Sequence, residues 1–303
     1  MFSGLKLNMP IFKVIILAIV QGLAELLPVS SSAHVVVAEK LMGLNPSSPQ
    51  MTLLLVMLHT GTMFAVIAYF WKTWKETYFS SSAAFQKFVG LVVWATLLTG
   101  IVGEAIKKVI EKTLFRGAEK AEIEQLFSHL ELIAPALAAV GLVILIAGLM
   151  ERRQKKNAAS DSGGAPLTMS QAGWMGIVQG LALPFRGFSR SGSTISAGMM
   201  VGAAKERAER FSFALAVVLT PPVVALELVR LLKASHAAAA TGVPIDLHAS
   251  LVGSLLGMVF SFAAGMLALK WLNNWLESGR WYMFGIYCLA ASSVVFYLHA
   301  HGF

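Results

Sequence analysis

Six apolar runs dominate the sequence, at about 52–71, 88–103, 130–150, 211–232, 249–272 and 281–298. Crossing about 30 Å of hydrocarbon takes roughly 20 helical residues. Each run approaches that length, the second only if it extends into its polar flanks. A bilayer offers the backbone no water to bond with, so each run is read as a transmembrane helix. Composition agrees, with 56% hydrophobic and 13% charged residues, against about a quarter charged in soluble chains. The net charge of +8 does not point to nucleic acid, because the basic residues fall in short segments between the runs, where membrane topology accounts for them. The first 20 residues imitate a signal peptide, but Gln21 and Glu25 stand where a small-residue cleavage site belongs, so the segment is expected to be retained. The single cysteine, Cys288, lies inside an apolar run and excludes a disulfide framework or a cysteine-based zinc site.

Two further stretches are apolar but broken. Residues 19–34 read IVQGLAELLPVSSSAH, and residues 177–194 read IVQGLALPFRGFSRSGST. Both begin with IVQGLA, reach a proline and then fill with groups that hydrocarbon does not tolerate. The chain is therefore expected to be an all-α polytopic membrane protein built as a repeat. The first repeat, 1–150, would hold a re-entrant hairpin at about 11–43 and the first three spans. A linker at 151–168, with four basic residues in five positions and then Ser, Gly and Pro, would follow. The second repeat, 169–303, would hold a hairpin at about 170–203 and the last three spans. Three crossings separate the hairpins, so they enter from opposite faces and the halves form an inverted repeat. Broken helices at membrane depth need cover from protein or a watery cavity, so the tips should meet near the midplane.

Loop charges give a modest orientation. Lys72, Lys75, Lys87, the 152–156 cluster, Lys205, Arg207, Arg210, Lys270 and Arg280 collect on one side, which is taken as cytoplasmic. The first hairpin then opens outward and both termini lie outside. Between the second and third spans, residues 103–130 carry mixed charges with Ile106, Val109, Ile110 and Leu114 at helical spacing, which suggests an amphipathic helix at the interface.

The two breaks carry the chemistry. Gln21 and Glu25 share a helix face at i, i+4, and an intramembrane carboxylate requires pairing, water or metal. Pro28 ends that helix. Ser30 or Ser31 is suited to cap the next one, whose free N–H groups and dipole form an anion site, and His34 sits one turn in. In the second break Gly187 and Gly192 permit close backbone approach, Ser189 can cap a helix, and Arg190 offers a fork of donors for phosphate oxygens. Ser191, Ser193 and Thr194 add hydroxyls, and Arg186 is a second cation. Together these describe a pocket for a phosphate-bearing lipid. Ser31 or His34 could attack phosphorus, Glu25 could act as base or hold a cation, and Arg190 with the helix ends would stabilise the transition-state oxygens. A rival reading is a transporter or flippase for the lipid, since many transporters are inverted repeats that meet at the midplane.

In these residues the sequence resembles the bacterial undecaprenyl-diphosphate phosphatase family, also called the bacitracin-resistance protein family. The first family motif is matched by Gln21, Glu25, Pro28, Val29, Ser30, Ser31 and His34, and the second by Gly187, Ser189, Arg190, Ser191 and Thr194. The resemblance covers essentially the whole chain. It implies hydrolysis of undecaprenyl diphosphate to the monophosphate, which recycles the carrier for peptidoglycan synthesis and gives bacitracin resistance. It also implies a divalent cation, Mg²⁺ or Ca²⁺, at Glu25 and Gln21, and phosphate contacts from Ser30, Gly187, Ser189, Arg190, Ser191 and Thr194. The setting it implies is the bacterial inner membrane with the site facing the periplasm, membrane lipids as surroundings and no nucleic acid; a homodimer is compatible with such a chain. The sequence departs from the family pattern twice. The usual Pro-Gly step is widened to Pro184-Phe185-Arg186-Gly187, and Gln21 stands where many members carry Glu.

Overall fold

A computed structural model describes residues 9–44, 49–114, 130–157, 166–240, 247–277 and 280–302. Ten helices run through them: α1 (Ile11–Leu26), α2 (Ser31–Leu41), α3 (Pro49–Thr77), α4 (Ser82–Leu114), α5 (Leu130–Asn157), α6 (Met169–Ala182), α7 (Arg190–Met200), α8 (Lys205–Ala240), α9 (Leu247–Glu277) and α10 (Tyr282–Ala300). Among the described residues, six helices (α3, α4, α5, α8, α9 and α10) are long and apolar enough to cross a membrane. Two short helix pairs, α1–α2 and α6–α7, precede each set of three. This is the order expected from the hydrophobic pattern.

The long helices differ from the sequence reading at their ends. The charged segment after Gly103 does not start a separate interfacial helix; α4 runs through it to Leu114. Neither a proline nor a capping residue interrupts this stretch, so the helical hydrogen bonds simply continue. At 33 residues, α4 is about 50 Å long by helical rise, which carries its charged end beyond the hydrocarbon. The rest of the suggested interfacial helix, at 115–129, lies outside the described residues. Likewise α5 continues to Asn157, so the linker region begins as helix; positions 158–165 lie outside the described residues. α8 spans Lys205–Ala240 and passes through Pro221 and Pro222, where about 211–232 was expected.

The same pairing occurs twice between the short and long helices. α1 packs on α9, and α6 packs on α4. The repeated IVQGLA motif supplies a glycine to each contact. A Cβ on Gly22 would come within 2.8 Å of the Ser261 carbonyl oxygen, and one on Gly180 within 2.6 Å of the Thr99 oxygen. Small residues let helices approach closely where lipid supplies no hydrophobic drive for association. Polar side chains reinforce the second contact: Thr99 Oγ1 donates to the Gly176 carbonyl at 2.9 Å, and Gln179 Nε2 donates to Thr99 Oγ1 at 3.2 Å. α5 and α10 pair through Gly141, Gly148 and Gly285 in the same manner. Large apolar side chains such as Phe12, Trp71, Leu97, Ile101 and Phe296 are exposed. On a soluble protein so much exposed apolar surface would be a liability, whereas a helix bundle in lipid requires it. The buried core runs through the centre of the bundle, around Leu26, Val36, Leu137, Ile144, Phe211 and Phe213.

Candidate functional site

The two breaks meet. α1 stops at Leu26, one turn is lost through Leu27–Val29, and α2 starts behind Ser30. Ser30 is the N-cap, and its Oγ accepts from the Ala33 N–H at 3.4 Å. Its φ of 69° makes it the only non-glycine residue with positive φ among those described. The second break runs from Leu183 to Phe188, and Ser189 caps α7, accepting from the Gly192 N–H at 3.1 Å. Gly187 has φ 99°, and a Cβ there would lie 2.5 Å from the Ile133 carbonyl oxygen. Only glycine suits both that backbone and that space. The Gly187 N–H donates to Ser32 Oγ at 3.2 Å, which joins one tip directly to the other.

Glu25 stands at the centre of the junction. Arg190 Nη2 donates to its Oε1 at 2.7 Å, while Oε2 accepts from Ser31 Oγ at 2.5 Å and from Gln21 Nε2 at 3.1 Å. His59 Nε2 of α3 lies 3.5 Å from the same Oε2. Charge-assisted hydrogen bonds from three sides account for a carboxylate at this depth. Arg190 spends only part of its fork on Glu25, and its Nη1 is buried without a hydrogen-bond partner. Unmatched buried donors are rare, and a guanidinium with one arm paired and the other unpartnered has donors left for an oxyanion.

A cavity of about 420 Å³ opens on this cluster. Its polar lining includes Gln21, Glu25, Ser30, Ser31, Ser32, His59, Arg186, Ser189, Arg190 and Ser191. Its other wall is apolar, from Leu55 and Val56 of α3 to Leu219, Val223 and Val224 of α8. Two arginines against one carboxylate, together with the N-termini of α2 and α7, favour an anion. The apolar side suits hydrocarbon.

Most of the residues singled out in the sequence come together here, but His34, Thr194 and Gly187 stand elsewhere, as do Gly192 and Ser193, whose hydroxyl donates to the Arg190 carbonyl at 3.1 Å. His34 is not among the cavity-lining residues. Its Nδ1 lies 2.7 Å from the Ser30 carbonyl oxygen and its Nε2 lies 2.7 Å from the Tyr287 hydroxyl of α10. Thr194 is fully buried between α7 and α8, donating to the Arg190 carbonyl at 2.8 Å and sharing a 2.5 Å hydrogen bond with Ser212. Gly187 contributes its N–H to Ser32 rather than to the cavity. Conversely, His59 and Arg186 line the cavity. Arg186 was noted in the sequence without a role. His59 lies inside the apolar run at about 52–71, where an ionisable residue within a span is itself a signal.

The divalent cation implied by the resemblance can be tested against this donor set. Gln21 Oε1 is buried without a partner next to Glu25. Among the described residues no three His, Cys, Asp or Glu side chains gather closely enough to hold a metal by themselves. One carboxylate, one orphaned amide oxygen and nearby hydroxyls are hard oxygen donors. They fit Mg²⁺ or Ca²⁺ when phosphate oxygens and water complete the shell.

Fold and site thus define a polytopic helical membrane protein with one polar, arginine-bearing cavity between two helix breaks. The chain belongs to the family described as Bacitracin resistance protein BacA, whose model matches residues 14–294. It is 54% identical over 288 residues to "Undecaprenyl-diphosphatase 2" of Acinetobacter baylyi, an alignment covering 95% of this chain and 97% of that protein. It is 31% identical over 301 residues to a protein of the same name from Burkholderia ambifaria, covering 96% of each. It is 32% identical over 294 residues to "Undecaprenyl-diphosphatase 1" of Burkholderia pseudomallei, covering 93% of this chain and 95% of that one.

Proposed function

We propose that this chain is an integral membrane undecaprenyl-diphosphate phosphatase. It converts undecaprenyl diphosphate to undecaprenyl phosphate and inorganic phosphate, recycling the carrier for peptidoglycan synthesis and giving resistance to bacitracin. Family membership and the names of the relatives support the activity. The single observation that carries it at the site is Arg190 in the cavity wall, its Nη2 paired to Glu25 and its Nη1 without a hydrogen-bond partner.

Of the two nucleophile candidates, contact geometry favours Ser31. Its hydroxyl already donates to Glu25, so the carboxylate takes the proton as Ser31 Oγ bonds to the terminal phosphorus. The anhydride P–O bond breaks and the lipid leaves as its monophosphate. Glu25 releases that proton to the leaving monophosphate; water then attacks the phosphoseryl phosphorus, the serine ester P–O bond breaks, and Glu25 passes the water proton to Ser31 Oγ, giving inorganic phosphate and free Ser31. Arg190, with Ser30, Ser189 and Ser191 at the two helix ends, binds the phosphoryl oxygens as their charge redistributes. Arg186 adds a second positive charge to the same cavity, as a diphosphate requires. Glu25 and Gln21 would hold a divalent cation, Mg²⁺ or Ca²⁺, whose charge when bound would offset that of the phosphate oxygens.

The paired packing of α1 on α9 and α6 on α4 supports an inverted repeat with both hairpins re-entrant. With the basic loops in the cytoplasm, the site opens to the periplasmic face of the inner membrane. The test is phosphate release from a prenyl diphosphate by the purified chain in detergent, with and without EDTA. Release should depend on the cation and collapse in Arg190→Ala and Glu25→Ala variants that still fold. Absence of release, with lipid moving across liposomes instead, would favour a flippase.

A further inference from the structure

We infer that Tyr287 is a positioning residue for the reaction, acting through His34 on the backbone that aims Ser31; this rests on Ser31 being the nucleophile. The donor and acceptor roles follow from the partners. A carbonyl oxygen can only accept, so the His34 nitrogen 2.7 Å from Ser30 O is a protonated Nδ1. In the neutral ring Nε2 is then an acceptor, and the Tyr287 O–H at 2.7 Å must donate to it. The two rings lie nearly parallel, 10° apart in plane with centroids 5.7 Å apart, so the contact also fixes the orientation of the imidazole.

The far end of this relay is the strained residue of the site. Ser30 combines φ 69° with ψ 89°, a conformation that costs a non-glycine residue free energy and persists only where its surroundings impose it. Two interactions from α10 bear on the break. Tyr287 holds the imidazole that grips the Ser30 carbonyl, and the adjacent Cys288 Sγ lies 3.5 Å from the Pro28 carbonyl oxygen. Ser31 follows Ser30 directly, so a relaxed Ser30 would swing the Ser31 hydroxyl away from Glu25 Oε2. His34 is thereby assigned a supporting task that uses both ring nitrogens, consistent with its absence from the cavity lining. Tyr287 touches neither the cavity nor Glu25, and it lies on a half-exposed face of α10 that sequence pattern alone marks as lipid-facing.

The test is a double-mutant cycle on the full-length chain in detergent, reading phosphate release from undecaprenyl diphosphate together with melting temperature. Tyr287→Phe, which removes only the hydroxyl, should lower kcat by about five- to tenfold, the range for one lost hydrogen bond, and leave KM within about twofold. In a His34→Ala background the same substitution should have no further effect on kcat. If Tyr287→Phe lowers the melting temperature, the cycle still decides, because a general structural loss persists without His34 and a positional one does not. Full kcat in Tyr287→Phe, or losses that multiply in the double variant, would overturn the assignment. Absence of release by the wild-type chain would instead remove the proposed activity, and the positioning role with it.

Discussion

Glu25 accepts hydrogen bonds from three side chains on two hairpins, and this crowding explains why single substitutions around it should have unequal effects. Arg190→Ala removes the one cationic donor to Glu25 with N–H groups to spare for phosphate, and phosphate release should fall on the order of a hundredfold or more. Arg190→Lys should recover little, because a single ammonium cannot serve Glu25 and an oxyanion as the two arms of a guanidinium can. Kinetics of phosphate release by the two variants check both statements; normal release from a folded Arg190→Ala would sink the site. At this scale the sequence was legible for Glu25, Gln21, Ser31 and Arg190, whose residue types are costly in hydrocarbon wherever they stand. It was not legible for His34 and Thr194. Both lie one turn into a helix, and whether such a residue faces the cavity or the neighbouring helix depends on how α2 and α7 are rotated. His34 meets Tyr287 of α10 and Thr194 meets Ser212 of α8, contacts between helices that local sequence does not show. His59 was missed for the opposite reason: its surroundings read as a plain span, and only the packing of α3 beside α1 brings it to Glu25.

The elements that carry the site are two short helices whose N-termini are capped by serines. Ser189→Ala should destabilise the folded chain by about 1 kcal/mol, the usual cost of a lost cap, and should also weaken substrate binding. Melting temperature and KM, measured on the same preparation, test the pair of effects. The glycines of the repeated IVQGLA motif bear the packing load. Gly180→Val would force α6 away from the Thr99 carbonyl, an overpacking change that typically costs 1–3 kcal/mol, and thermal unfolding in detergent should register it. Proline and serine made both hairpin breaks legible in the sequence. The ends of the long helices were not, because hydropathy marks only the apolar run, whereas helical hydrogen bonding continues through the charged residues that follow it in α4 and α5.

For the whole molecule, the repeated order of a hairpin and three long helices followed from hydrophobic periodicity and run length alone. The exchange of partners between the halves, α1 on α9 and α6 on α4, did not, because it depends on which spans lie adjacent. The proposed entry of the hairpins from opposite faces carries a prediction about sidedness. With Cys288 replaced by serine, a single cysteine at position 160 should escape a membrane-impermeant thiol reagent added outside intact cells, whereas one at position 302 should react. Equal labelling of both would contradict the orientation. The central claim is that two hairpins from opposite faces assemble one phosphoryl-transfer site with Ser31 as its nucleophile. Its most direct test is to quench the purified chain in neutral denaturant during turnover of undecaprenyl diphosphate labelled in its terminal phosphate, and then map the label. Phosphate should appear on Ser31 and be absent when Arg190 is replaced by alanine; label on His34, or hydrolysis that never labels the chain, would rule out Ser31 as the nucleophile.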